Sequence, residues 1–207
     1  RQVEGSLERL GVERIDLYLA HDRDPRTPLE ETIDAFEQLA ADGTIGAWGL
    51  SNFDAAGIEE SLRHGQPALV QNGYSLLERE DEEAVLPLCG EHGIEYVPFG
   101  PTAGGWLTGR YRRGEPFPTG SRMTQRPEPY TKFVADRIFD GLELLETEAA
   151  VRGIDMATIA FAWVLSHPHV TGVVCGPSRP DHLDPVIAAL DVSLPEESRE
   201  RIGSFFA

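Results

Sequence analysis

The sequence has almost no lysine and far fewer basic residues than acidic ones. Lysine and arginine together number 18 against 35 aspartates and glutamates, which gives a formal net charge of −17. A nucleic-acid backbone and an anionic membrane surface both require a basic face, so we expect neither as a partner. Lys132 is the only lysine, and it lies in a polar, proline-flanked stretch. A lysine-based mechanism therefore has almost no place in this chain.

Cysteines and long apolar stretches are also scarce. Cys89 and Cys175 are the only cysteines, and each lies in an apolar context that favours a reduced core thiol. No apolar run approaches the roughly 20 residues of a membrane span, and the first residues do not resemble a signal peptide. We therefore expect a cytoplasmic protein. With 207 residues, 41% of them hydrophobic, the chain is long enough for one domain with a sizeable core.

Strand-like apolar runs alternate with helical patterns along the whole chain. The predicted strands are continuous apolar runs, as expected when both faces of a parallel sheet are covered. They lie at residues 15–20, 45–50, 68–71, 94–99 and 170–175. Helices are predicted at residues 4–10, 28–41, 54–64, 81–92, 133–152, 156–166, 181–190 and 195–206, and a Gly/Pro-rich loop at 100–129. This order predicts the α/β class with a parallel sheet, either open or closed into a barrel.

Parallel α/β folds place their chemistry in the loops that follow the strands. The first predicted strand is followed by His21, the second by Ser51-Asn52, and the third ends at Gln71. A lone histidine there is more often a polar residue that closes a strand, and Ser51-Asn52 before a helix is more often capping chemistry. Each of these strand ends has an ordinary structural explanation when it is taken alone.

Two glycine-containing loops follow the remaining predicted strands. Gly104-Gly105 alone is more often a turn than a phosphate-binding loop. The stretch Gly176-Pro177-Ser178-Arg179 leaves a strand and enters a helix, where backbone N–H groups and the helix dipole favour an anion. An arginine there can bind a phosphate through two hydrogen bonds. Five polar or glycine-rich strand ends together indicate a ligand with amide, hydroxyl and phosphate groups, such as a nucleotide cofactor.

Six motifs, found in order and with regular separations, carry a resemblance to a known family. They are Ile15-Asp16-Leu17-Tyr18 with His21, and the stretches at residues 27–32 (TPLEET), 46–53 (GAWGLSNF), 71–79 (QNGYSLLER), 104–111 (GGWLTGRY) and 176–180 (GPSRP). With all six present over nearly its whole length, the chain resembles an aldo-keto reductase. The resemblance implies a TIM (β/α)₈ barrel, here a partial barrel of about five βα units. It also implies hydride transfer from NADPH to an aldehyde or ketone, with a small-molecule carbonyl substrate.

The resemblance assigns roles to individual residues, with no metal among them. His21 corresponds to the histidine of the family's Asp-Tyr-Lys-His tetrad, which orients the substrate carbonyl, and Tyr74 and Trp106 correspond to residues that line the substrate pocket. The remaining positions correspond to residues that bind NADPH. Ser51, Asn52 and Gln71 match the residues at the nicotinamide carboxamide, and Phe99 matches the ring that stacks on the nicotinamide. Gly100, Pro101, Thr102 and Leu107 match the loop over the pyrophosphate, and Ser178 and Arg179 match the residues that hold the 2′-phosphate. Gly176 and His182 are further positions expected to bind the cofactor.

Several positions depart from the family's pattern. Gly100 stands where the family usually has serine, His182 where it often has glutamine, and Pro185-Val186 where a Glu-Asn pair commonly contacts the adenine. We therefore expect weaker cofactor binding than the family norm. The family's Asp, Tyr and Lys lie on strands that precede those found here. Residues 1–207 are accordingly expected to be a single domain without barrel strands 1 to 3, either a truncated gene product or one piece of a longer chain. Alone, this piece is expected to be inactive. It is also expected to self-associate through its open strand edges.

Two other functions are compatible with the same residues. One is a non-catalytic NADP-binding or regulatory module on the same fold, because fold alone does not determine function. The other is a metal-dependent hydrolase that uses His21, Asp22 and Asp24, which is disfavoured because the remaining histidines fall on predicted helices or helix ends. The sequence does not identify the carbonyl substrate.

Overall fold

The structure, a computed structural model, describes residues 2–207. The chain forms two compact units, the first containing residues 1–72 and 81–97 and the second residues 73–80 and 98–207. The first unit contains strands β1 (Ile15–Ala20), β2 (Ile45–Ser51), β3 (Leu69–Gln71) and β4 (Glu95–Tyr96), and helices α1 (Gln2–Leu10), α2 (Leu29–Ala41), α3 (Ala55–Ser61) and α4 (Val85–His92). All strand pairs are parallel and the order is β1-β2-β3-β4, which confirms the predicted class.

Strand β2 is the buried strand of this sheet, and its side chains explain how the layer forms. Ile45, Trp48 and Leu50 are buried, and the Trp48 indole N–H donates to the Glu37 carboxylate at 2.8 Å. Gly49 lies between Leu19 and Leu69 in the ladder, and a Cβ there would lie 2.6 Å from Leu19 Cδ2. The absence of a side chain at this position therefore allows the neighbouring strands to approach.

The edge strand β1 differs from the expectation that both faces of every strand are covered. None of its six residues is buried, and the Leu17 side chain is 38% exposed. The apolar run predicted the strand correctly, but burial also depends on the number of neighbouring strands. In the described sheet β1 has only β2 beside it, so its other edge is open.

The last two predicted strands are the main errors in the sequence-based assignment. The fourth is limited to Glu95–Tyr96 rather than residues 94–99. Residues 170–175 form no strand in the part of the chain that the structure describes. The Val174 N–H donates to the Pro98 carbonyl at 2.8 Å, a contact that belongs to no strand within residues 2–207. An apolar run without a continuous pairing partner is extended chain rather than strand.

The second unit is mainly helical. Its α-helices are α5 (Arg122–Gln125), α6 (Asp136–Arg152), α7 (Met156–Leu165), α8 (Asp184–Ala189) and α9 (Glu196–Gly203). Helix α7 is buried on most of its surface, and Asp155 caps it by accepting a bond from the Thr158 N–H at 2.7 Å. The predicted loop at 100–129 contains α5 and a 3₁₀ segment at Ala103–Thr108. No helix within residues 2–207 is long and apolar enough to span a membrane.

Candidate functional site

The ends of the three strands β1, β2 and β3 bring predicted site residues together in the first unit. His21 follows β1, Asn52 follows β2, and Gln71 closes β3. The Asn52 side-chain amide donates to the His21 carbonyl at 2.9 Å, and the Asn52 backbone N–H donates to the Gln71 carbonyl at 3.2 Å. These bonds cross from the first strand end to the third. The structure therefore places His21, Asn52 and Gln71 along one edge of the sheet.

Asn52 adopts a backbone conformation that few residues tolerate. Its φ is 61°, in the left-handed region, where a short polar side chain that bonds locally is favoured. The Asn52 amide also lies 3.2 Å from the hydroxyl of the buried Ser51. This turn holds the Asn52 side chain at the strand edge, exposed to solvent.

Two predicted ligand-binding side chains at this edge have no partner of their own. Within residues 2–207, neither the His21 imidazole nor the half-buried Gln71 amide makes a hydrogen bond. A carboxamide offers one acceptor and two donors, and the amides and hydroxyl of Asn52, Gln71 and Ser51 supply the complementary groups. The residues present therefore fit a nicotinamide carboxamide, and His21 fits a carbonyl oxygen.

A buried polar network lies directly behind the turn, and the sequence analysis missed it. The Asn72 side chain accepts from the Phe53 N–H at 3.2 Å and donates to the Phe53 carbonyl at 2.8 Å. The same amide donates to the Asp81 carboxylate at 2.8 Å, and the Tyr96 hydroxyl donates to that carboxylate at 2.7 Å. The position of Asn72 immediately after Gln71 was the only local signal, because Asp81 and Tyr96 are distant in sequence.

Burial has a direct chemical effect on the nearby Cys89. The thiol is buried, and this burial, together with the negative charge of Asp81, raises the pKa of Cys89 to about 12. Cys89 is therefore a protonated thiol at neutral pH and a poor nucleophile. Cys175 is half-buried, and both cysteines are free thiols.

The second unit holds the predicted pyrophosphate loop. The Phe99 ring is 36% exposed, and the Phe99 carbonyl accepts from the Tyr74 N–H at 3.1 Å. The chain then turns at Gly100, whose φ is 72° and whose carbonyl accepts from the Ala103 N–H at 2.8 Å. Pro101 is buried, and the Thr102 carbonyl accepts from the N–H of the buried Leu107 at 3.2 Å. The loop is thus held by its own backbone.

The predicted 2′-phosphate residues Ser178 and Arg179 are exposed, as are Gly176 and His182. The Arg179 guanidinium donates two bonds to Asp181, at 3.1 and 3.0 Å, and these bonds lower the pKa of the Asp181 carboxyl. The Ser178 hydroxyl lies 3.4 Å from the His182 Nδ1. The guanidinium is therefore paired with an anion in the same planar geometry that a phosphate would use.

Tyr74 and Trp106, the predicted substrate-pocket residues, lie in the packed interior of the second unit. Both are fully buried. The Tyr74 hydroxyl accepts from the Arg199 guanidinium at 2.6 Å, and its ring lies 5.3 Å from that of Trp163. The Trp106 ring lies 5.0 to 6.1 Å from four other aromatic rings, those of Tyr111, Phe117, Phe133 and Phe139. Both rings are thus packed among other aromatic or basic side chains, and the buried Trp106 indole N–H has no hydrogen-bond partner within residues 2–207.

Several groups that could serve lysine or metal chemistry make other contacts. Lys132 forms an ion pair with Glu78 at 2.6 Å. Asp24, a ligand in the hydrolase alternative, accepts bonds from the Arg26 N–H and side chain, which lower its pKa. His167 and His169 have His-x-His spacing, but the His167 Nδ1 accepts the His169 N–H at 3.2 Å. No group of three or more metal-ligating side chains lies together in residues 2–207.

Comparison with known proteins decides the family. The model of the "Aldo/keto reductase family" matches residues 1–206. The chain belongs to this family. It is 32% identical over 196 residues to the NADH-specific methylglyoxal reductase of Escherichia coli K12, covering 93% of this chain and 59% of that protein. It is also 32% identical over 199 residues to the L-glyceraldehyde 3-phosphate reductase of the same strain, covering 91% of this chain and 57% of that protein.

The fold is likewise that of aldo-keto reductases. The glycerol dehydrogenase AKR11B4 from Gluconobacter oxydans superposes with a TM-score of 0.86 and 29% identity, covering 99% of this chain and 62% of that one. The holo form of the aldo-keto reductase AKR11C1 from Bacillus halodurans superposes with a TM-score of 0.78 and 30% identity, covering 99% of this chain and 63% of that one. The chain thus spans roughly three fifths of these relatives, and its parallel α/β architecture is part of their TIM-barrel fold. The family comprises oxidoreductases that use nicotinamide cofactors.

Proposed function

We propose that residues 1–207 are the part of an NADPH-dependent aldo-keto reductase domain that holds the cofactor and orients the substrate carbonyl. The observation that carries the proposal is at the strand ends of the first unit. The His21 imidazole and the Gln71 amide lack partners within residues 2–207 and lie beside Asn52, which joins their two strand ends. Polar side chains arranged in this way, at the carboxyl ends of parallel strands, are typical of a ligand site.

The first unit supplies the residues that act nearest the reaction. Ser51, Asn52 and Gln71 hold the carboxamide and so orient the nicotinamide ring. When bound, a nicotinamide cofactor supplies the hydride that reduces a carbonyl carbon. The His21 imidazole donates a hydrogen bond to the carbonyl oxygen, on which negative charge develops. Its exposure at the strand end allows a small aldehyde or ketone to reach it.

The second unit supplies the phosphate contacts. Phe99 stacks on the nicotinamide, the loop of Gly100, Pro101, Thr102 and Leu107 covers the pyrophosphate, and Gly176, Ser178, Arg179 and His182 hold the 2′-phosphate. The paired guanidinium geometry at Arg179 supports the preference for NADPH over NADH, because only NADPH carries the 2′-phosphate. One relative is named as NADH-specific, so the cofactor preference differs among related proteins. The affinities of this chain for NADPH and NADH therefore have to be measured.

Replacing Gln71 tests the proposal with a matched control. Gln71→Ala removes an amide without a partner of its own, whereas Gln66→Ala removes an exposed amide that donates to the His92 carbonyl at 3.1 Å in the same unit. We expect Gln71→Ala to weaken NADPH binding by about 5–12-fold, the equivalent of one hydrogen bond of about 1–1.5 kcal/mol. Fluorescence titration with NADPH measures both variants. Equal affinities for wild type, Q71A and Q66A would remove Gln71 from the site.

A second candidate is supported by the names of other relatives. A putative voltage-gated potassium channel subunit beta of Schizosaccharomyces pombe is 31% identical over 206 residues, covering 91% of this chain and 58% of that protein. A regulatory module that binds NADPH without reducing a carbonyl is therefore the alternative. The two differ in one measurement on a protein that joins this chain to the family's Asp, Tyr and Lys, because only a reductase oxidises NADPH when an aldehyde is added.

A further inference from the structure

The buried residues Asn72 and Tyr96 and the half-buried Asp81, hereafter the Asn72 network, lie behind the strand-end site rather than in it. Asn72 is 7% exposed and Tyr96 is fully buried. Two short bonds join them, from the Tyr96 hydroxyl to Asp81 at 2.7 Å and from the Asn72 amide to Asp81 at 2.8 Å, and a third runs from the Asn72 amide to the Phe53 carbonyl at 2.8 Å. A partly buried carboxylate is costly unless its oxygens are hydrogen-bonded, so the two bonds that Asp81 accepts are favoured.

The network ends on the backbone that carries the ligand-binding side chains. Asn72 bonds both the N–H and the carbonyl of Phe53, the residue after Asn52. Asn52 itself has a φ of 61° and bonds the His21 carbonyl and, through its N–H, the Gln71 carbonyl. Fixing Phe53 from behind therefore limits the left-handed turn at Asn52 to one arrangement, at a position where backbone strain needs support.

We infer that Asn72, Asp81 and Tyr96 are positioning residues that hold the Asn52 turn, and through it the carboxamide-binding edge, in binding geometry. None of the three touches the ligand. Asp81 orients the Asn72 amide by accepting a hydrogen bond from its N–H, so the Asn72 Oδ1 faces the Phe53 N–H. The inference rests on the proposed function for its consequence in cofactor binding, but the turn itself exists in the chain without a cofactor.

Hydrogen exchange tests the turn in the ligand-free protein. We expect Asp81→Asn and the milder Tyr96→Phe to speed exchange of the Phe53 N–H by tenfold or more, measured by NMR on residues 1–207. The Gly57 N–H, bonded to the Asp54 carboxylate at 2.8 Å, is the reference amide. Ser61→Ala is the control variant, because it removes another buried bond of this unit, from Ser61 to the Ile58 carbonyl at 2.7 Å, outside the network. Equal acceleration of Phe53 and Gly57 in D81N, or the same pattern in S61A, would overturn the inference.

Binding of NADP⁺ and of 2′,5′-ADP separates positioning from general destabilisation. The second ligand lacks the nicotinamide, so D81N should weaken the binding of NADP⁺ by about tenfold and leave the affinity for 2′,5′-ADP unchanged. S61A should change neither affinity. A parallel loss for both ligands in D81N and Y96F would make the network merely structural. If the wild-type chain binds neither ligand, the proposed function fails, and the exchange measurement still decides whether the network holds the turn.

Discussion

At the scale of single residues, Arg179 shows how a neighbouring side chain modifies a predicted role. The sequence places an arginine at the start of a helix after a strand-like run, which predicts an anion site. In the structure, the Arg179 guanidinium donates two hydrogen bonds to the Asp181 carboxylate, and both side chains are largely exposed. An exposed pair of this kind contributes little to stability, so a phosphate can replace the carboxylate.

Two substitutions at this pair are expected to have opposite effects. Arg179→Ala should weaken NADPH binding by about 10–150-fold, the equivalent of a charge-assisted contact of about 1.5–3 kcal/mol, and leave NADH nearly unchanged. Asp181→Asn should strengthen NADPH binding by up to about fivefold, because the guanidinium loses its competing anion. Calorimetric titration with both cofactors measures the difference. Equal losses for NADPH and NADH in R179A would make Arg179 a structural residue.

The residue scale also shows what sequence reasoning could not supply. His21, Asn52 and Gln71 were predictable because each follows an apolar run directly. The Asn72 network was not predictable, because Asp81 lies 9 positions and Tyr96 lies 24 positions beyond Asn72. No short sequence pattern relates these residues. Trp106 was placed in a substrate pocket by its motif, whereas its four aromatic neighbours come from residues 111–139, within a region predicted mostly as loop.

At the scale of secondary-structure elements, the strands differ in how well sequence predicts them. β1 was predicted with its bounds unchanged, and β2 and β3 within one residue, because Gly and Asp residues or polar turns delimit their apolar runs. The run at residues 170–175 is equally apolar but forms no strand in the described chain. Local composition predicts an extended segment, but a strand also needs a partner along its length.

The open edge of β1 leads to a prediction about association. Edge strands present unpaired backbone groups, and Leu17 adds an exposed apolar side chain there. We propose that residues 1–207 self-associate through this edge as concentration rises. Leu17→Lys should shift sedimentation toward monomer, whereas Leu10→Lys, at a 65% exposed leucine that ends α1, should not. Identical behaviour of the two variants would place the contact elsewhere.

At the scale of the whole molecule, these residues supply binding groups without the family's proton donor. The resemblance assigns that role to a tyrosine whose pKa is lowered by a lysine, and the only lysine here pairs with Glu78. Tyr74 and Tyr96 bond Arg199 and Asp81, and the Tyr18 ring lies against Phe36 at 5.8 Å. We propose that the proton donor is not within residues 1–207, and that these residues are one domain, the later part of the barrel.

Turnover by residues 1–207 alone should therefore be absent. Binding and orientation contribute only part of the rate when no acid protonates the carbonyl oxygen, and general acid catalysis alone typically contributes about 10²–10⁴-fold. NADPH oxidation with methylglyoxal, followed by absorbance, measures this, with the methylglyoxal reductase of Escherichia coli and its own cofactor as the active reference. Turnover comparable to the reference would show that a residue of this chain serves as the acid.

The central claim is that this chain binds NADPH through its strand-end residues. NMR titration of residues 1–207 with NADPH tests it most directly, because each amide reports separately. We predict that the resonances of Asn52 and Gln71 in the first unit shift and saturate as NADPH is added, and that those of Ser178 and Arg179 in the second unit also shift and saturate. Addition of NADPH without shifts at these residues, or with shifts confined to other parts of the chain, would contradict the account.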